Sequence, residues 1–148
     1  SSSILGNNEC FEPYTSNLYS RRVLSGEFTM VNKHLVRLLE GRGMWTESTR
    51  QLLMRDDGSV RGVEFPEKDL FKTVWEIKQR AVLDMAIDRG AYVCHSQSMN
   101  VFLESPSVSQ LSSMHFYGWR GGLKTGMYYL RTNPKAKAIK ITCDSCSV

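Results

Sequence analysis

Tyr128 and Tyr129 stand side by side in "LKTGMYYLRT". A phenol can lose an electron and a proton together, so two neighbouring phenols could pass a radical in short hops. A plain strand also explains the pair, with one ring inward and one outward, because successive side chains point to opposite faces. Ring contact would need a departure from that alternation near the strand's end. Cys143 and Cys146 form a C-x-x-C with two residues, Ser147 and Val148, after it. Zinc would need two more ligands at suitable spacing, and Cys10, Cys94 and the histidines offer no recognisable partner pair. A redox dithiol fits the spacing better, and two unremarkable tail cysteines fit it equally well.

Other chemistry is thinner. Asn8, Cys10 and Glu12 place a thiol between an amide and a carboxylate, which a radical-forming cysteine could use. An incidental cysteine in a surface loop is the simpler account and the favoured one. His95, between Cys94 and Ser96, reads as a hydrogen-bonded structural residue, and His34 and His115 fall in helical stretches. Ser1, Ser2 and Ser3 precede Ile4 and could offer hydroxyls and free backbone N–H groups to a phosphate at a helix N-terminus. Plain capping is the commoner use of such serines.

These residues need a scaffold. The chain has 148 residues, 41% hydrophobic and 23% charged, which suits one modest globular domain or a piece of a larger one. A net charge of +4, scattered apart from Arg21-Arg22 and "PKAKAIK", argues against a nucleic-acid partner. No apolar run approaches the roughly 18 residues of a membrane span. The N-terminus lacks the basic segment and apolar core of a signal peptide, so an intracellular, cytoplasmic protein is expected. Its four cysteines are then better suited to redox chemistry than to a disulfide framework.

Asn32 should cap a helix running through Glu40, with Gly41 as its stop. "TESTRQLLMR" predicts a second helix and "DDGS" a turn. Leu70, Val74, Ile77, Ala81 and Met85 recur at helical spacing and predict the longest helix, about 70–88. "AYVCHSQSMNVFL" reads as a strand. Ser105 should cap the next helix, with Pro106 in its first position, ending near Gly121–Gly122. The tyrosine stretch follows as a second strand, and residues 133–148 read as an extended, flexible tail carrying the C-x-x-C. Residues 1–29 show only irregular alternation, with "EPYTSN" as a turn or loop. Two strands separated by a helix suggest a parallel pair in an α/β fold. Two strands cannot bury both faces of a sheet, so a larger barrel or sheet is implied. Its open edges predict poor solubility without a partner chain.

Three long stretches carry a family resemblance: "ILGNNECFEPYTSNLYSRRVLSGEF", "LFKTVWEIKQRAVLDMAIDRGAYVCHSQSMNVFL" and "SMHFYGWRGGLKTGMYYLRT". In order and without large gaps, about 1–132 resembles the C-terminal part of the large catalytic (alpha) subunit of class I ribonucleotide reductases. That subunit is a ten-stranded α/β barrel with its catalytic cysteine on a central finger loop. The resemblance implies that residues 1–132 supply the last barrel strands and flanking helices, incomplete alone. Tyr128 and Tyr129 match the family's radical-transfer pair, Tyr128 nearer the catalytic cysteine and Tyr129 nearer the small subunit. Ser1, Ser2 and Ser3 match the end of a phosphate-binding loop for the ribonucleoside diphosphate. The helix near 107–122 matches the docking site of the small subunit's C-terminal peptide, with Leu111, Met114 and Trp119 as contacts.

Cys143 and Cys146 match the shuttling dithiol that re-reduces the active-site disulfide. Here about ten residues separate Thr132 from Cys143, against a longer tail in many relatives. Fully extended, they span roughly 35 Å, so reach depends on where the strand ends. The resemblance implies no metal or cofactor on this chain. It implies a di-metal or tyrosyl-radical centre in the partner small subunit and an external thioredoxin- or glutaredoxin-type reductant. The family's catalytic N-x-C-x-E element lies upstream of the matched region, so Cys10 is not assigned to it. Reduction of ribonucleotides for DNA synthesis would therefore need the remainder of the large subunit, as upstream sequence or as a separate chain of a split subunit. The rival expectations are a non-catalytic fragment that only binds the small subunit, and a small dithiol redox protein.

Overall fold

The computed structural model describes residues 12–132. It opens with an antiparallel hairpin, β1 (Leu18–Val23) and β2 (Gly26–Val31), registered from Leu18 opposite Val31 to Val23 opposite Gly26. Helices α1 (Lys33–Gly41) and α2 (Glu47–Arg55) follow, then a short 3-10 turn at Lys68–Phe71. Helix α3 (Gln79–Gly90) leads to β3 (Asn100–Phe102), α4 (Val108–Arg120) and β4 (Tyr129–Arg131). Strands β3 and β4 are parallel, with Asn100 opposite Tyr129, so the predicted α/β crossover is present.

Local signals explain the first two helices. The Asn32 side chain accepts from the His34 N–H, and the Thr46 side chain from the Thr49 N–H, as N-caps do. Leu35 and Leu39, one turn apart, and Leu53 of α2 are fully buried with Val60, Val63 and Phe65. Asn32 has a second task. Its Nδ2 donates to Asn17 Oδ1 at 2.9 Å, while Asn17 Nδ2 donates to the carbonyls of Gly58 and Phe71 at 2.9 and 2.8 Å. This buried clasp ties the foot of the hairpin to the turn after α2.

A second core lies under the parallel strands. Val82, Leu83 and Ala86 of α3 pack with Met99 and Val101, and Met114, Leu123, Met127 and Leu130 lean on them.

Four expectations are corrected. The helix predicted over 70–88 is broken, and residues 72–78 are not helical. Their polar groups are taken elsewhere: Val74 N–H donates to the Tyr14 carbonyl, and the Thr73 N–H and hydroxyl both donate to Glu76 Oε2. Side chains and a distant segment thus outcompete the helix ladder. The cap of α4 is Ser107 rather than Ser105, because only Ser107 has Gln110 three residues on to complete a capping box. The strand expected over 91–103 shrinks to 100–102. Before it, Gln97 Nε2 donates to the Ala86 carbonyl and holds the chain against the end of α3. The fourth correction is the hairpin itself, which the irregular alternation of residues 1–29 did not announce.

Glu76 gives the first core region an acid-sensitive tie. Burial pushes its carboxyl up, but the Thr73 N–H, the Ser59 and Thr73 hydroxyls and nearby Arg61 outweigh that and hold it below the ordinary glutamate value. A carboxyl lowered by folding stabilises above its unfolded pKa and loses that contribution as pH falls through its folded value. The denaturation midpoint of the protein carrying this chain should therefore drop as pH falls below the glutamate range. Glu76→Gln should lower the neutral-pH midpoint and flatten that acid-side slope. An unchanged slope would show that Glu76 is not the group responsible.

Candidate functional site

The site is built where β4 begins. Tyr128 precedes the strand, and its N–H donates to the Met99 carbonyl at 2.7 Å. Tyr129 is the first strand residue, paired with Asn100. Because Tyr128 lies outside the strand, alternation does not force the two rings apart. Their centroids are 4.3 Å apart at an interplanar angle of 68°, an edge-to-face contact. The departure from alternation that ring contact required is therefore present.

Both rings stay open to solvent, Tyr128 at 65% and Tyr129 at 49% exposure, while Met127 and Leu130 beside them pack into the core. Two residues further on, the Arg131 guanidinium lies 4.8 Å from the centre of the Tyr129 ring. Such a cation over a ring face holds ring orientation. The approach to the pair runs through Gly126. A Cβ there would sit 2.4 Å from His115 Nδ1, so glycine allows the α4 histidine to lie against the loop. His115 therefore has a packing place beside Gly126.

On the β3 edge away from β4, side chains take two backbone N–H groups. Glu12 Oε1 accepts from the Asn100 N–H at 2.8 Å, and Gln79 Oε1 accepts from the Phe102 N–H at 3.0 Å. These acceptors satisfy two N–H groups of that edge.

The docking candidates divide by place on α4. Trp119 is 71% exposed, Leu111 is half-buried, and Met114 leans on the second core. Phe116 and Val108, also exposed on α4, were not singled out from sequence. The three-residue spacing of Phe116 and Trp119 was the available signal. Cys94 and His95 are exposed. Ser1, Ser2, Ser3, Asn8, Cys10, Cys143 and Cys146 lie outside the described residues. Among the described residues, no three His, Cys, Asp or Glu side chains gather as a metal site, and no helix is long and apolar enough to cross a membrane. A separate cleft of about 900 Å³, lined by Tyr19, Arg55, Arg61, Trp75 and Glu76 among others, holds neither tyrosine of the pair.

Fold and site define an incomplete α/β barrel segment that presents paired phenols. The chain belongs to the ribonucleotide reductase barrel-domain family, whose profile, "Ribonucleotide reductase, barrel domain", matches residues 1–129. It is 57% identical over 147 residues to the ribonucleoside-diphosphate reductase large subunit of Arabidopsis thaliana, covering 97% of this chain and 18% of that protein. The Trypanosoma brucei brucei large subunit is 58% identical over 146 residues, covering 97% and 17%. Among solved structures, the Actinobacillus ureae class Id ribonucleotide reductase alpha subunit superposes with a TM-score of 0.71 at 28% identity, covering 82% of this chain and 22% of that one. The chain thus spans under a fifth of the length of these curated relatives.

Proposed function

We propose that this chain is the C-terminal component of a ribonucleoside-diphosphate reductase large subunit and carries its radical relay. The observation that carries the reading is the edge-to-face contact of Tyr128 and Tyr129, with rings 4.3 Å apart, in a member of this family. A radical arriving on Tyr129 is passed when the Tyr128 O–H gives up a proton and an electron together. Tyr129 returns to a phenol and Tyr128 becomes the radical. Arrival is from the small subunit, whose di-metal or tyrosyl centre is the source. Departure is toward the catalytic cysteine in the remainder of the large subunit.

Other parts have supporting roles in this reading. Residues 1–132 complete the barrel, and 133–148 carry the C-x-x-C. Ser1, Ser2 and Ser3 hold the substrate diphosphate. Trp119 and Leu111 meet the small subunit directly, and Met114 supports them from the core side. In each turnover the ribose 2′-hydroxyl is replaced by hydrogen, a dithiol becomes a disulfide, and water leaves. Cys143 and Cys146 then exchange with that disulfide and are recharged by a thioredoxin- or glutaredoxin-type dithiol. The place of work is the cytoplasm.

The exposed Phe116 and Trp119 favour one second reading, a fragment that only docks to the small subunit. Tyr128→Phe in the assembled reductase separates the two. The relay requires turnover to collapse while small-subunit affinity holds. Turnover that stays intact would leave the docking reading standing.

A further inference from the structure

Glu12 has no task in the chemistry above, and its nearest sequence feature, Cys10, is not assigned one. Its carboxylate nevertheless grips a residue 88 positions away. Oε1 accepts from the Asn100 backbone N–H at 2.8 Å, and Oε2 from Asn100 Nδ2 at 3.3 Å. Asn100 is buried, opens β3, and stands opposite Tyr129 in the parallel register. The residue before it, Met99, accepts the Tyr128 N–H. The carboxylate therefore occupies the place where a neighbouring strand's carbonyl would be, at the level of the tyrosine pair. Ionised acceptors make short, strong bonds to backbone N–H groups.

The Asn100 amide is oriented by this grip. Its Oδ1 is buried with no hydrogen-bond partner among the described residues. Turning the amide over would satisfy nothing, because Oδ1 would then face the Glu12 carboxylate. A buried acceptor left unpaired is costly. An apolar residue would avoid that cost but would lose the second bond to Glu12.

We propose that Glu12 is a positioning residue for the radical relay: its two-point hold on Asn100 fixes the start of β3, and through the Asn100–Tyr129 register and the Met99–Tyr128 bond it fixes the ring pair. This rests on the relay reading of Tyr128 and Tyr129. Radical hopping needs the phenols in one geometry, and a misplacement of about 1 Å in a reacting group can cost about a hundredfold in rate.

The test uses the reductase assembled from this chain, the rest of the large subunit and the small subunit. Glu12→Ala should lower kcat by about tenfold to a hundredfold, with the nucleotide KM and small-subunit affinity unchanged. Asn100→Asp should do the same, because two carboxylates then face each other. In the double change Glu12→Gln with Asn100→Asp, the amide oxygen at position 12 still accepts from the backbone N–H at position 100, and only the side-chain bond is reversed, the amide N–H donating to the carboxylate; it should recover most of the loss. If Glu12→Ala does not assemble, Asn100→Asp and the double variant decide alone. A kcat that survives Glu12→Ala, an effect on KM or affinity instead, or a double variant no better than Asn100→Asp overturns the proposal. Tyr129→Phe is run beside them. If it leaves turnover intact, the relay and the positioning role fall together. If it stops turnover while the Glu12 and Asn100 variants do not, only the positioning role falls.

Discussion

Replacing Tyr129 by phenylalanine should reduce ribonucleoside-diphosphate turnover to background in the assembled enzyme, with the complex intact. Phenylalanine keeps the ring, the edge contact with Tyr128 and the face beneath Arg131. Only the O–H is lost. The ring is half exposed, so removing its hydroxyl leaves no buried group unpaired and stability should barely change. The relay, by contrast, is broken rather than slowed, because a benzene ring has no acidic proton to lose with its electron. A fall of at least a hundredfold, about 2.7 kcal/mol of barrier, is expected. It should appear in kcat, since the interaction removed is one that substrate binding does not use. Steady-state turnover beside a small-subunit binding measurement checks it.

Gly58→Ala should be the most damaging single-methyl change to the fold. Gly58 has φ +81, a left-handed conformation that costs a side chain-bearing residue about 1–3 kcal/mol. The added Cβ would also lie 1.9 Å from Ser16 Oγ and 2.8 Å from the backbone nitrogens of Asn17 and Leu18. The serine can turn away, but the two backbone atoms cannot move without opening the Asn17 clasp. Overpacking of that kind costs about 1–3 kcal/mol more. The sum is about 2–6 kcal/mol, and the hairpin should detach first. Limited proteolysis should cut near Leu24 and Ser25 earlier than in the unaltered protein, at a lower denaturation midpoint. A midpoint within experimental error of the original would contradict the clasp's role.

The difference between what the sequence foretold and what it hid follows the range of the interactions. Helices α1 and α2 and the turn at Asp57 and Gly58 rest on neighbours in the chain: Asn32 and Thr46 cap, and Gly58 takes the positive φ. Such features are local and were readable. The break at 72–78 depends on Tyr14, Ser59 and Asn17, which lie far away in sequence, and helical spacing alone could not reveal it. The hairpin escaped because Tyr19, Phe28 and Met30 remain exposed within this chain, so no buried face stamped a clean alternation on the sequence.

The site divides in the same way. Adjacent phenols are visible in any reading of residues 128–129, and their contact follows from Tyr128 falling just before the strand. Glu12 drew notice only as a neighbour of Cys10. Its partner is Asn100, and nothing within either local segment announces the pair. The surface of α4 was partly legible: Trp119 was named, while Phe116, one turn before it, was passed over.

The most direct measurement is to place 3-aminotyrosine at position 129 of the assembled reductase and record electron paramagnetic resonance spectra after adding substrate. That side chain is oxidised more easily than tyrosine and holds the radical it receives. A relay through this chain requires a new aminotyrosyl signal that grows as the small subunit's radical is consumed, in matching amounts. A small-subunit signal that decays, or turnover that proceeds, with no radical at position 129 would contradict it.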